Sequence, residues 1–176
     1  MGKRSDFERK PRDFYPTPYA AVVPLLPHLK DCSTFVEPCG GNGALMEHLE
    51  KHWLTCSWIS DIEPSRQDVN EFDAFKITRE FVKNADAIIT NPPWNRKVFH
   101  PLIDHLVALD KPVWLLADAD WIHTKQSTRF VQCYLKKIVS VGRVKWFSNT
   151  TGKDNCCWYL FQKNSEATPK FYGRAA

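Results

Sequence analysis

The fold is decided by Phe35-Val36-Glu37-Pro38-Cys39-Gly40-Gly41-Asn42-Gly43-Ala44-Leu45, in which a short apolar run, a glycine-rich turn and the start of a helical pattern follow one another. Glycines let a backbone approach a ligand closely, and the amino end of the following helix faces the turn. The stretch lacks the full Gly-x-Gly-x-x-Gly spacing of a dinucleotide-binding fold, so on its own it is a weak signal. It nevertheless predicts a strand–loop–helix unit of the kind that binds nucleotide-like ligands.

Apolar runs and helical patterns alternate along the rest of the chain. Strands are predicted at residues 34–37, 56–60, 74–77, 85–90, 113–117, 138–146 and 156–162, and helices in an apolar stretch that ends at residue 29 and at 44–52, 98–109 and 124–135. This alternation predicts an α/β fold, a Rossmann-like, mostly parallel seven-stranded sheet with helices on both faces. The last two strands enclose a polar turn and are expected to form an antiparallel β-hairpin.

The length of 176 residues is typical of one domain. We expect a flexible basic arm at 1–12, the folded domain at 13–163 and a loose tail at 164–176. No apolar run is long enough for a membrane span and no signal-peptide pattern opens the chain, so a cytoplasmic location in a bacterium or a phage-infected host is expected. The six cysteines form no Cys-x-x-Cys pair and no zinc spacing, which predicts free thiols and no metal site.

A basic, acid-free segment lies between Asp120 and Asp154, although the net charge of the chain is only +4. Its cations are Lys125, Arg129, Lys136, Lys137, Arg143, Lys145 and Lys153, and its aromatic residues are Trp121, Phe130, Tyr134, Trp146 and Phe147. Positive charges mixed with aromatic rings suit a surface that follows phosphates and stacks on bases. The alternative is a solvated face over a core. Together with the base-sized motif at Asn91, the segment favours a nucleic-acid partner, and the basic arm adds further positive charge.

Asn91-Pro92-Pro93-Trp94 directly follows an apolar run that is predicted to be a buried strand. Prolines donate no backbone hydrogen bond and keep the chain extended, so carbonyl oxygens are left to face a ligand. The asparagine amide adds a second acceptor, and the tryptophan adds a broad aromatic face. Two acceptors and a stacking surface fit an exocyclic NH2 group on a flat base. The alternative is a rigid turn after a strand.

Two carboxylates follow the glycine-rich turn at informative positions. Asp61 ends the second predicted strand, about 20 residues after the turn, where a carboxylate would accept from two ribose hydroxyls. Asp73 precedes the third predicted strand and could accept from an adenine amino group. Asp61 could instead cap a helix before Glu63-Pro64, and Asp73 could be a surface carboxylate. Their order ahead of Asn91 favours one shared site.

With these motifs, residues 13–163 resemble the S-adenosylmethionine-dependent N6-adenine DNA methyltransferases of restriction systems and phages. The resemblance implies a class I methyltransferase fold and S-adenosyl-L-methionine as the cofactor. The implied cofactor-binding residues are Tyr15, Thr17, Glu37, Pro38, Cys39, Gly40, Asp61, Ile62, Asp73 and Asn91. Thr17, with Tyr15 beside it, resembles the contact to the cofactor carboxylate, and Glu37-Pro38-Cys39-Gly40 resembles the loop around its methionine part.

The resemblance also implies a catalytic loop and a nucleic-acid surface. The loop is Asn91, Pro92, Pro93 and Trp94, with Trp94 stacked on a flipped base and either Trp146 or Phe147 on its other face. The implied nucleic-acid contacts are Arg96, Lys97, Lys125, Arg129, Arg143, Lys145 and Lys153. Cys39 resembles the nucleophile of cytosine-C5 enzymes, but it lies in the cofactor loop and is expected to be a packing residue.

Several alternatives remain open from the sequence. The same loop occurs in RNA N6-adenine enzymes and in methyltransferases of a glutamine side-chain amide, and a non-catalytic binding module is a further possibility. DNA is favoured over RNA as the partner. We expect no separate target-recognition domain within these 176 residues. Either the basic segment 122–153 and the arm contact a short recognition site, or sequence specificity is low. A third alternative is that a partner protein or a homodimer supplies the specificity.

Overall fold

The structure is a computed structural model that describes residues 15–146, 155–163 and 168–174. Within these residues eight strands form one sheet: β1 Thr34–Glu37, β2 Thr55–Asp61, β3 Asn70–Glu71, β4 Ala87–Thr90, β5 Val113–Asp118, β6 Leu135–Arg143, β7 Asn155–Phe161 and β8 Lys170–Tyr172. Their order is β3-β2-β1-β4-β5-β7-β6-β8. Only β7 runs antiparallel to its neighbours β5 and β6, and the other pairings are parallel.

Helices cover both faces of the sheet. They are α1 Tyr19–Val22, α2 Ala44–Glu50, α3 Arg79–Val82, α4 Arg96–Val107 and α5 Thr128–Cys133, with short 3₁₀ helices at Leu26–His28, Ala74–Lys76, Ala119–His123 and Lys125–Ser127. One core cluster contains α4 side chains such as Phe99 and Leu102, and the other contains Leu25, Leu45 and Leu49 from the opposite face. Because both faces are covered, β4 is buried along its whole length, as its continuous apolar sequence predicts.

The predicted α/β architecture and its closing β-hairpin are confirmed, and one strand prediction is wrong. Residues 74–77 do not form a strand: a 3₁₀ helix spans Ala74–Lys76, and the third strand is the polar pair Asn70–Glu71. The Asp73 side chain accepts a hydrogen bond from the Phe75 N–H at 2.9 Å, which caps the 3₁₀ turn. A short polar side chain that bonds the local backbone in this way competes with strand formation.

Two predicted helices are shorter than expected. The apolar stretch that ends at residue 29 contains only α1 and a 3₁₀ turn, because Pro24 and Pro27 remove backbone donors. The stretch 124–135 divides into a 3₁₀ turn and α5.

An eighth strand lies in the segment that was predicted to be a loose tail. β8 pairs in parallel with the edge strand β6, and the Tyr172 ring contacts the His28 ring with centroids 4.5 Å apart. The prediction of seven strands is therefore wrong by one. The basic arm 1–12, Phe147 and Lys153 lie outside the described residues.

Candidate active site

A cavity of about 940 Å³ opens at the carboxyl ends of β1, β2 and β4. This edge is where open α/β sheets bind ligands, and the volume suits a small-molecule cofactor. Every residue predicted to bind the cofactor lines the cavity: Tyr15, Thr17, Glu37, Pro38, Cys39, Gly40, Asp61, Ile62, Asp73 and Asn91. Pro93 lines it as well. The sequence therefore identified most of one wall before the strands were placed.

The glycine-rich turn packs tightly against β2. The Gly40 N–H donates to the Ser60 carbonyl at 2.8 Å, and a Cβ on Gly40 would lie 2.6 Å from Cδ1 of Ile59. Gly43 has a φ of +74°, a conformation that residues with side chains rarely adopt. The turn can therefore pack this closely on β2 only because Gly40 carries no side chain.

Replacing Gly40 with alanine is expected to lower the free energy of unfolding by about 1–3 kcal/mol, because the new methyl group overlaps the Ile59 side chain. Urea denaturation measures this change. Gly173→Ala is the matched control, since a Cβ there would meet nothing within 4 Å. Equal stability of the two variants would contradict the packing described for the turn.

Asp61 holds the turn from the end of β2. Its Oδ2 accepts from the Gly41 N–H at 2.8 Å and its Oδ1 accepts from the Glu63 N–H at 2.9 Å. A carboxylate has about four lone-pair positions, so each oxygen can still accept from a ligand. Asp61 therefore both shapes the turn and faces the cavity.

Glu37 is a buried acid in the cavity wall. The side chain is 2% exposed, and within the described residues its Oε2 has no hydrogen-bond partner. Burial raises the pKa of this carboxyl well above its usual range, and the nearby charge of Asp61 raises it further. A buried acceptor without a partner is costly, which favours a ligand that donates to it.

The Cys39 thiol is not arranged as a nucleophile. Burial, followed by the negative charge of Asp61, raises its pKa far above the range in which thiolates form. This agrees with the expectation that Cys39 packs in the cofactor loop.

Phe75 is a cavity residue that sequence reasoning missed. It is 40% exposed, while Ile62 on the same wall is 56% exposed. Exposed apolar side chains beside the Asp61 and Asp73 carboxylates suit a flat heterocycle with polar edges. A phenylalanine two residues after Asp73 was the available signal, but the predicted strand at 74–77 concealed it.

Asn91 is held from both ends of its amide. Its Nδ2 donates to the Thr17 Oγ1 at 3.1 Å and to the Tyr15 carbonyl at 3.4 Å, while its Oδ1 accepts from the Trp94 Nε1 at 3.2 Å. Within the described residues no hydrogen bond is made to the neighbouring Pro92 carbonyl. The Pro92 carbonyl therefore keeps acceptor capacity next to Asn91 in the sequence.

Trp94 belongs to an aromatic cluster next to this loop. Its ring meets Trp146 edge-on, with centroids 5.5 Å apart and planes at 84°, and Trp146 lies 6.3 Å from the Tyr15 ring. Trp94 is half-buried and packs against both core clusters. The structure thus places Trp146 beside Trp94, but neither these two residues nor Pro92 lines the cavity.

The predicted nucleic-acid contacts differ in their surroundings. Arg129 pairs with Asp104 and lies over the Phe130 ring, and Arg96 donates to Gln126 at 2.7 Å. All six described contacts are exposed, and the other four are Lys97, Lys125, Arg143 and Lys145. The charge of Arg129 is therefore already offset by the Asp104 carboxylate, whereas the charge of Arg96 is not offset by the neutral Gln126.

His100, on α4, is in its neutral form and accepts a hydrogen bond from Trp121. Its Nε2 accepts from the Trp121 Nε1 at 2.9 Å, and because an indole only donates, this nitrogen carries no proton. Burial lowers the pKa of His100 from its usual 6.5, as do Arg96 and Arg129, whereas Asp104 raises it. Protonation of Nε2 removes this hydrogen bond between α4 and the Ala119–His123 turn.

We expect thermal stability to fall as the pH decreases through about 6.5, because the unfolded chain then binds a proton that folded His100 resists. Melting curves between pH 5 and pH 8 measure this slope. His100→Gln, which keeps an acceptor and cannot titrate, should flatten the slope but not abolish it, since the pKa values of His28 and His48 are also lowered. An unchanged slope in this variant would contradict the assignment.

The described ranges 15–146, 155–163 and 168–174 contain neither a metal-binding cluster nor a membrane-spanning helix. No group of three His, Cys, Asp or Glu residues there could hold a metal ion. Nor is any helix in those ranges both long and apolar enough to cross a bilayer.

The fold is shared with solved structures of methyltransferases, although no family model and no curated protein sequence matches the chain. A putative RNA methyltransferase from Pyrococcus horikoshii has 12% identity and a TM-score of 0.61 over 93% of this chain and 94% of that one. The methyltransferase subunit of a type I restriction-modification system from Streptococcus thermophilus has 11% identity and a TM-score of 0.59, over 91% of this chain but 47% of that one. A predicted O-methyltransferase from Agrobacterium tumefaciens has 12% identity and a TM-score of 0.58, over 89% and 86%. The chain therefore has the Rossmann-like fold of class I methyltransferases.

Proposed function

We propose that this protein transfers a methyl group from S-adenosylmethionine to the N6 amine of adenine in DNA. The observation that carries the proposal is the Asn91 amide, fixed in the cavity wall next to a Pro92 carbonyl that accepts no hydrogen bond from residues 15–146, 155–163 or 168–174. The three similar structures bear names that cover RNA methylation, restriction-modification and O-methylation, so the fold does not decide the acceptor. The chemistry of the loop has to decide it.

The cavity residues fit S-adenosylmethionine. Glu37 and Asp61 supply acceptors for a positively charged ligand that also carries ribose hydroxyls, and the Glu37 Oε2 is without a partner in the described part of the chain. Ile62 and Phe75 supply apolar faces for its adenine ring, with Asp73 beside them. When bound, the cofactor supplies an electrophilic methyl group on a sulfonium.

Asn91 and Pro92 hold the acceptor amine. An adenine amine is a poor nucleophile because its lone pair is delocalised into the ring. The second lone pair of the Asn91 Oδ1 and the Pro92 carbonyl accept its two N–H bonds, which directs the nitrogen lone pair towards the cavity. Such positioning lowers a barrier by about 7–11 kcal/mol in well-oriented cases, and the two carbonyl dipoles stabilise the positive charge that develops on nitrogen.

The catalytic loop and the surface charge support DNA as the polymer that carries the acceptor amine. Asparagine in the first loop position favours adenine over cytosine N4, where serine is common, and the exposed cations Lys97, Lys125, Arg143 and Lys145 support a polyanion. An amine inside a duplex is out of reach, so the base has to be flipped or unpaired. Trp94, with Trp146 or Phe147, is the proposed stack for it.

The proposal is tested by incubating the protein with radiolabelled S-adenosylmethionine and, separately, duplex DNA, single-stranded DNA, total RNA and cell protein. Label in DNA is the expected result. Label in RNA alone would mean that the amine methylation is right but that the substrate is RNA and not DNA. Label in protein alone would indicate a glutamine side-chain amide as the acceptor. Cofactor binding without label in any polymer would point to a non-catalytic binding module.

A further inference from the structure

The side chains of Thr17 and Trp94 meet at the Asn91 amide from opposite ends. Thr17 contacts the amide nitrogen and Trp94 contacts the amide oxygen, although 74 residues separate Thr17 from Asn91 along the chain. The sequence resemblance gives Thr17 to the cofactor and Trp94 to the target base. Neither of those roles explains these two contacts.

The hydrogen-bond partners permit only one orientation of the amide. The indole N–H of Trp94 can only donate, so the atom facing it has to be the Asn91 oxygen. The carbonyl of Tyr15 can only accept, so the atom facing it has to be the amide nitrogen. Turning the amide over would place donor against donor and acceptor against acceptor.

Both partners are themselves fixed. The Trp94 Nε1 also donates to the Leu116 carbonyl at 3.1 Å, and Leu116 lies in β5, which is buried between β4 and β7. Thr17 is 5% exposed and lies on the segment that enters α1. The Asn91 amide is therefore held between β5, through Trp94, and the segment that precedes α1, through Thr17.

We propose that Thr17 and Trp94 are positioning residues that lock the Asn91 amide with its oxygen turned to the acceptor amine. This inference rests on the proposed function. It assigns to Trp94 a role for its N–H that phenylalanine could not replace, even though phenylalanine keeps an aromatic face for stacking. It assigns to the Thr17 hydroxyl a role in turnover that is separate from cofactor affinity.

Three variants test the lock by kinetics. Trp94→Phe removes the N–H and keeps a ring, Thr17→Val removes the hydroxyl and keeps the shape, and Thr17→Ser restores the hydroxyl. We expect kcat to fall about five- to tenfold in Trp94→Phe and Thr17→Val, as for loss of one hydrogen bond. Thr17→Ser should recover at least half of the wild-type kcat, and KM for DNA and the Kd for S-adenosylmethionine should stay within about twofold throughout. A rise in KM or Kd at unchanged kcat would overturn the proposal.

A second measurement reads the lock without turnover. In ¹⁵N-labelled protein the side-chain NH2 signal of Asn91, assigned by its absence in Asn91→Ala, should move in Trp94→Phe and Thr17→Val and return in Thr17→Ser. An Asn91 signal that is the same in all variants would overturn the lock. Because this spectrum needs no substrate, a failure of the proposed methyl transfer is distinguishable from a failure of the lock.

Discussion

Asn91→Ala is expected to lose methyl transfer by about 10²–10³-fold, the usual cost of removing one preorganised polar group from the reacting centre. The amide oxygen is one of two acceptors proposed for the adenine amine, and alanine leaves only the Pro92 carbonyl. Cofactor affinity should change little by comparison, because Asn91 is one of many residues in the cavity wall. Single-turnover kinetics with DNA and calorimetric titration of S-adenosylmethionine measure the two effects separately.

Asn84→Ala is the control for this variant. Asn84 is an exposed asparagine outside the cavity, whose backbone carbonyl accepts from Thr34, so its side chain can be removed without touching the site. We expect wild-type turnover from it. A near-normal rate in Asn91→Ala would contradict the assignment of the loop, whatever the control does.

Asp61→Ala is expected to weaken S-adenosylmethionine binding by about 10- to 100-fold, as for loss of hydrogen bonds to a charged group. The carboxylate is proposed to accept from the ribose hydroxyls, and it also holds the Gly41 and Glu63 N–H groups. Its loss therefore removes ligand contacts and releases the glycine-rich turn. Titration calorimetry measures the Kd, and urea denaturation records the separate loss of stability.

Two further variants separate these causes. Asp61→Asn keeps one acceptor oxygen and should bind the cofactor with intermediate affinity. Glu71→Ala removes an exposed carboxylate from the position that pairs with Asp61 on β3 and should leave binding unchanged. Equal Kd values for wild type, Asp61→Ala and Glu71→Ala would refute the placement of the cofactor.

The central part of the fold was predictable because β4 and β5 are nearly continuous apolar runs. Both strands are buried in the middle of the sheet, and each is apolar up to its last residue. The strand ends then fix where Glu37, Asp61 and Asn91 meet. This is why the motifs, together with the family resemblance that they carry, could indicate residues of the cavity wall.

The edges of the sheet were not predictable in the same way. β3 is a pair of polar residues, Asn70 and Glu71, whose pairing with β2 has no periodic pattern to reveal it. Its misplacement to 74–77 followed from the apolar residues there, which instead enter a 3₁₀ turn capped by Asp73. β8 is three residues long and is defined by its contact with β6.

The details of the candidate site depend on contacts between distant parts of the chain. Nothing local to Thr17 indicates that its hydroxyl meets Asn91, and nothing local to Trp94 indicates a bond to the Leu116 carbonyl. Phe75 became visible as a cavity residue only when the turn after Asp73 was placed. Motifs identified the participants, and the tertiary fold determined what each one contacts.

The central claim is tested most directly by identifying the methylated nucleoside. Unmethylated duplex DNA is incubated with S-adenosylmethionine and either wild-type protein or Asn91→Ala, digested to nucleosides and analysed by mass spectrometry. We predict N6-methyladenine with the wild-type protein and at most about 1% of that amount with the variant, in line with the loss expected for a preorganised group. Methylation of cytosine, or equal amounts of N6-methyladenine from both proteins, would contradict the account.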